Sequence, residues 1–287
     1  MAKLMAFLGH DDILRITEED AERWRDYRQA AGISPSTIAA ADLAGPRTIL
    51  NWAVSNRSLP IKHNPFLGVR IKVRKRIRLR ERGFTLSEAE TILKATLADQ
   101  GPKISITGAA ARRWVPWLAA YSGARVNELT QLRHADIIQE RTPDGEPLWC
   151  MRITPESGTV KTDAARVVPL HPHVIEQGFL AYVGRRQNLP LFFEPSLVRK
   201  ANAAHRQADK VGERLAAWVR ALGVPDGVQP NHGWRHRFRT IGRSLRIADS
   251  MMNAIDGHAT ESIADAYGDY VIKAMHEAIS VYPAYTI

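Results

Sequence analysis

The sequence predicts a mainly α-helical (α+β) chain in two parts, with one small antiparallel sheet in the second part. Three observations carry this. Stretches on both sides of residues 70–82 place apolar positions at helical spacing between capping residues. Residues 148–170 instead alternate like short strands, LWCMRI, then TVKT, then ARVVPL, which suggests a three-stranded antiparallel sheet. Between the parts, RIKVRKRIRLRER at 70–82 holds eight Lys or Arg and one Glu, a net +7 of the chain's +10.

In chain order, MAKLMAFL reads as the tail of a first helix whose beginning is absent. Thr17 is an N-cap with Asp20 three positions on, and Gly32 closes the helix that follows. Ser34 caps a second helix with Pro35 at its first position. Ile49, Trp52 and Ala53 are its expected core contacts. Pro46 removes one N–H and crowds the preceding turn, so a kink or break is expected near Ala44. Asn64-Pro65-Phe66 ends the helical region. Beyond the basic run, Thr85 or Ser87 starts SEAETILKATL, and RRWVPWLAAYSG runs to Gly123. After the sheet come HPHVIEQGFLAYVG, DKVGERLAAWVRAL, the segment around His232, and an amphipathic start to VIKAMHEAISVYPAYTI. The domains expected are 1–69, a linker at 70–83, and 84–287.

A chain of 287 residues can bury two cores. Its positive balance favours a polyanionic partner. In the basic run Arg70, Lys72, Arg74, Lys75, Arg76, Arg78 and Arg80 are candidate phosphate contacts. One cysteine, Cys150, rules out an internal disulfide and fits a small buried side chain on a strand. No stretch is apolar enough to span a membrane and no secretory signal opens the chain, so a cytoplasmic protein is expected.

The polar residues of the second part suit phosphodiester chemistry. Arg125 and Arg235 can clamp non-bridging oxygens with planar, permanently charged forks. The imidazoles of His232 and His258 can add hydrogen bonds. A tyrosine can attack phosphorus and keep the bond energy in an ester, although its ordinary pKa of about 10 means that its proton must be helped away. A lysine can protonate a departing sugar oxygen. Glu128 suits buttressing an arginine rather than carrying a proton. His232 and His236 are four apart, but Gly233 stands where a zinc-protease helix needs glutamate, so no metal site is expected.

The order and spacing of these residues resemble the tyrosine recombinases, the phage-integrase family. GARVNELTQL, from Gly123 to Leu132, fits the first arginine box, Gly-x-Arg-x-x-Glu-Leu-x-x-Leu. His232 to His236 fits His-x-x-Arg-His. Gly257, His258 and Tyr267 fit the Gly-His pair and a nucleophile nine positions later. KTDAARVVPL, from Lys161 to Leu170, fits the lysine hairpin and its return strand. The resemblance implies a helical core-binding domain, a catalytic domain, and a two-domain clamp on double-stranded DNA. Tyr267 would form a 3′-phosphotyrosyl link, with Tyr270 the competing candidate. Arg125, Arg235, His232 and His258 would stabilise the transition state, and Lys161 would protonate the 5′-hydroxyl. Thr162 and Arg166 are alternative phosphate contacts. No cofactor is implied. Recombination implies a tetramer on DNA, with the C-terminal tail packing into a neighbouring subunit. The expected activity is integration or excision of a prophage or other mobile element. Strand swivelling of the type IB topoisomerase kind, or DNA binding without recombination, is the alternative.

Overall fold

The computed structural model describes residues 1–56, 60–74, 80–154, 165–197, 203–258 and 271–287. The chain divides into two compact units, Met1–Arg78 and Leu79–Ile287.

The first unit is helical. Helix α1 spans Ala2–Leu8 and α2 spans Glu18–Ala30. Thr17 caps α2 through a reciprocal box with Asp20, which satisfies two otherwise unpaired backbone N–H groups. Ser34 caps α3 (Pro35–Thr37), which runs through a π-helical stretch at Ile38–Leu43 into α4 (Ala44–Ser55). The disruption expected from Pro46 is thus a widened turn, and the chain stays helical across it. Pro46 cannot donate to the carbonyl of Asp42, four residues earlier. The Trp24 indole N–H donates to that carbonyl instead, at 3.0 Å.

The inward face of α4 differs from expectation. Pro46, Leu50 and Ala53 are buried, whereas Ile49 is 43% and Trp52 63% exposed. Ala53 is buried as expected, but the stripe it belongs to continues through Leu50 and Pro46 rather than Ile49 and Trp52. Leu4, Trp24, Ile38, Leu43, Leu50 and Phe66 form the core. Arg47 then ties the following segment back onto α4, donating to the carbonyls of Phe66 and Val69 at 3.1 and 3.0 Å.

The second unit begins with α5 (Leu86–Leu97), capped by Thr85 and Glu88. Its central helix is α6 (Ile106–Ser122), from Ser105 to a left-handed Gly123. The short α7 (Val126–Thr130) follows. The sheet is three-stranded and antiparallel in the order β1 (Ile137–Arg141), β2 (Pro147–Ile153), β3 (Arg166–Pro169). β2 and β3 match two of the expected strands. β1 was not anticipated, although IIQER alternates buried and exposed positions and Thr142–Gly145 closes a turn behind it. TVKT, at 159–162, lies outside the described residues. Buried Cys150 sits on β2, where burial pushes its thiol up to about 12 and leaves it unreactive.

Helices α8 (Pro172–Glu176) and α9 (Phe179–Gly184) are split at Gly178, whose φ is +89°. Then come α10 (Ala203–Ala221), α11 (Pro230–Ser244), α12 (Asp249–Asp256) and α13 (Ile272–Ser280). The described residues of the tail pack on their own unit. Met275, Ile279 and Tyr282 are buried in its core, and Tyr282 lies parallel to Phe238 at 4.6 Å. His171 Nε2 donates to the Tyr282 carbonyl at 3.0 Å, and Tyr285 accepts from Arg237 at 2.8 Å. These large rings gain from burial, and the ledge between α6, α8 and α11 supplies it in cis.

Candidate active site

The site grows from three chain ends. α6 stops at Gly123, where φ is +61° and a Cβ would come within 2.6 Å of the Phe238 ring. That glycine lets the backbone turn against α11 and delivers Arg125 as the residue preceding α7. The Arg125 guanidinium donates from Nη1 to Glu128 Oε1 and to the Gly257 carbonyl, both at 2.9 Å. Glu128 is 1% exposed. Its other oxygen accepts from the Arg125 backbone N–H at 3.0 Å and from Arg166 Nη2 at 2.5 Å. Burial alone would raise the Glu128 pKa. The hydrogen bond and charge of Arg166, with the Arg125 bonds, outweigh it and hold the carboxyl below its usual range.

The second end is the start of α11. Pro230 opens the helix, and His232 and Arg235 follow one turn apart, His232 exposed and Arg235 buried. Arg235 Nη1 donates to the Gly123 carbonyl at 3.0 Å and to the Asp256 carbonyl, and Nη2 reaches Asp256 Oδ1 at 3.1 Å. Burial lowers its pKa to about 10, helped by Arg125 and Arg239 and opposed by Asp256, so it remains a cation at neutral pH.

The third end is the C-terminus of α12. Gly257 is left-handed, with φ +67°. The carbonyls of Ile255, Asp256 and Gly257 accept from Arg166, Arg235 and Arg125 in turn. Three guanidinium groups therefore satisfy carbonyls at the negative end of one helix, and Arg125 and Arg235 hang from consecutive ones. His258 leaves this turn with its backbone N–H on Asp256 Oδ1 at 3.0 Å. Arg125, Glu128, Arg235, Gly257 and His258 are thus brought together, and His232 shares the helix of Arg235. Lys161, in the connection between β2 and β3, and Tyr267 and Tyr270, beyond α12, lie outside the described residues.

Sequence reasoning missed Asp256 and Arg239 here and gave Arg166 a different role. Asp256 is wholly buried and pairs with both Arg235 and Arg239. Arg166, considered only as a phosphate contact, is instead paired with Glu128. The signal for Asp256 was an acid among the buried positions of α12, beside Met252 and Ile255. Such an acid needs a cation nearby, and Arg235 and Arg239 lie one turn apart on α11.

One basic residue of the 70–82 run has a partner of its own. Arg80 does not stand free for phosphate: it closes a two-pronged ion pair with Glu88, at 2.7 and 2.8 Å. Arg70, Lys72 and Arg74 are exposed, while Lys75, Arg76 and Arg78 lie outside the described residues. His171 and His173 are occupied by Tyr282 and Tyr121, and among the described residues no three His, Cys, Asp or Glu converge as metal ligands. No described helix is long and apolar enough to cross a membrane.

No family model matches the chain, and no curated protein sequence matches it. Solved structures do. The XerH site-specific recombinase bound to its difH substrate in a pre-cleavage complex aligns with 98% of this chain and 75% of its own, at 16% identity and a TM-score of 0.56. The Tn1549 transposon integrase in complex with transposon right-end DNA aligns with 99% of this chain and 88% of its own, at 17% identity and a TM-score of 0.56. At that level of identity what is shared is architecture: this chain has the fold of the site-specific recombinases and integrases.

Proposed function

We propose that the protein is a site-specific DNA recombinase, an integrase in the broad sense, which cuts and rejoins DNA through a covalent 3′-phosphotyrosine. The observation that carries this is the pairing of Arg125 and Arg235 on consecutive carbonyls at the end of α12. Four guanidinium groups stand there against two carboxylates, so the cluster holds a net charge of +2. That excess suits a phosphate gaining negative charge in a pentacoordinate transition state. Arg125 and Arg235 take its non-bridging oxygens, with hydrogen bonds from His232 and His258. Tyr267 is the nucleophile and Lys161 the acid for the leaving 5′-hydroxyl. The ester stores the bond energy, so neither a metal nor a nucleotide is required. Exchange between two duplexes needs four such sites, hence a tetramer on DNA. The setting is integration or excision of a mobile element.

The test starts from duplexes selected out of a random library by binding to the Tyr267→Phe protein. These are then nicked to trap covalent species. Wild type should give a denaturant-resistant protein–DNA adduct in excess chelator, and Tyr267→Phe should give none. An adduct that survives in Tyr267→Phe and disappears in Tyr270→Phe moves the nucleophile. No adduct with any selected duplex removes the enzymatic reading and leaves DNA binding.

A further inference from the structure

The Asp256 carboxylate accepts four hydrogen bonds within the site, and the strand-exchange chemistry does not itself call on it. Its Oδ1 accepts from Arg235 Nη2 at 3.1 Å, Arg239 Nη2 at 3.1 Å and the His258 backbone at 3.0 Å. Its Oδ2 accepts from Arg239 Nε at 2.6 Å. Arg239 also reaches Asn253 Oδ1, so its own fork is fixed on two sides. A buried carboxylate facing a single arginine forms a neutral pair, and such a pair is a weak ligand for phosphate because the guanidinium charge is already matched. Here the two-pronged approach belongs to Arg239, whose Nε and Nη2 meet both carboxylate oxygens. Arg235 meets the carboxylate through one N–H.

We infer that Asp256 and Arg239 are positioning residues for Arg235: Asp256 orients its guanidinium and the Gly257–His258 turn, and Arg239 offsets the carboxylate so that Arg235 keeps its charge for the phosphate. A bond count agrees. Arginine has five N–H groups. Arg235 directs Nη1 at the carbonyls of Gly123 and Asp256, and one Nη2 proton at the Asp256 carboxylate. Among the described residues its Nε proton and second Nη2 proton meet no hydrogen-bond partner. Nε and Nη2 lie along one edge of the fork, and two N–H groups on one edge can take two phosphate oxygens at once. The arrangement is repeated at the other arginine. Glu128 lies between Arg125 and Arg166, and its 2.5 Å bond to Arg166 is shorter than its 2.9 Å bond to Arg125. Each phosphate-facing arginine is thus aimed by a buried carboxylate whose charge a second arginine shares.

The proposal rests on the reading that Arg235 contacts the scissile phosphate. Full-length wild type, Asp256→Asn, Arg239→Gln and Arg239→Lys are compared for adduct formation on the selected nicked duplexes. DNA affinity and melting temperature are measured alongside. Asp256→Asn and Arg239→Gln should slow cleavage at saturating DNA by roughly 10–100-fold, the range typical of residues that orient a site ligand. Affinity should stay within about threefold, because remote backbone contacts dominate it. Arg239→Lys should recover a large part of the rate, since it restores the charge. Arg239→Gln cleaving as fast as wild type, or Arg239→Lys cleaving no faster than Arg239→Gln, overturns the proposal and leaves the recombinase reading intact. If wild type forms no adduct, that reading fails, and NMR exchange of the Arg235 guanidinium protons decides positioning. Faster exchange in Asp256→Asn supports it, and unchanged exchange removes it.

Discussion

Gly257 meets two constraints at one position. Its φ of +67° is strained for any side chain, and a Cβ would stand 2.4 Å from Arg166 Nη1. Gly257→Ala should therefore lower stability by roughly 1–3 kcal/mol and displace the carbonyl that holds Arg125. Urea unfolding checks the first and the adduct assay the second. An unchanged midpoint would show that neither the left-handed φ nor the Arg166 contact costs stability at this position. Glu128 gives a pH signature. Its folded pKa lies below the ordinary 4.5, so its contribution to stability is complete above pH 4.5 and is lost as pH falls through the lower folded value. Glu128→Gln should flatten the acid limb of stability against pH and slow cleavage. A steep acid limb retained in Glu128→Gln would assign it to other carboxylates.

Among the elements, α4 depends on a bond from another helix. Trp24→Phe keeps one aromatic ring but loses the rest of the indole and the N–H that serves the Asp42 carbonyl. The expected cost is about 1–2 kcal/mol for the carbonyl left unpaired, with a further loss for the space the smaller ring leaves in the core. Pro46→Ala restores a backbone N–H four residues after Asp42, so the double variant should regain part of the loss. No recovery would show that the carbonyl is served otherwise. The tail depends on His171, which stacks on Tyr121 at 3.8 Å and bonds the Tyr282 carbonyl. Its Nδ1 accepts from the His173 N–H, so the neutral ring with its proton on Nε2 satisfies both neighbours. Burial lowers its pKa to about 4, with His173 and His276 adding and the Tyr282 bond opposing. With the folded value below the ordinary 6.5, stability is complete above pH 6.5 and declines towards pH 4, by up to roughly 3 kcal/mol. His171→Gln can still donate to Tyr282 and does not titrate. Its stability should be flatter across that window, and an equal slope would place the titration elsewhere.

For the whole molecule the expectation is electrostatic. Most of the net charge lies in residues 70–82, where Arg70, Lys72 and Arg74 are exposed. Each phosphate they neutralise should steepen the log–log salt dependence of DNA binding by about 0.9. Replacing all three by glutamine should reduce the slope by up to about 3 with little effect on sequence preference. An unchanged slope would make this segment a solvated connector. Arg80 is left out of that set because Glu88 already holds it.

What the sequence by itself determined is what short range controls. Thr17 with Asp20 and Ser34 with Pro35 define helix starts within three or four residues, and Thr85 or Ser87 marks a third; the structure places caps at Thr17, Ser34 and Thr85. Arg125 with Glu128, and His232 with Arg235, were legible for the same reason: one helical turn separates the members. The tertiary structure decided what distance along the chain conceals. Glu128 meets Arg166 across 38 residues, and Asp256 meets Arg239 across 17. β1, the outward turn of Trp52 and the docking of Tyr282 in cis likewise depend on which surfaces meet. Local rules see a charge or a ring only against its immediate neighbours. Whether that charge is buried, and which opposite charge then accompanies it, is settled only when the core closes around both, because desolvation makes an unpaired buried ion too costly to keep.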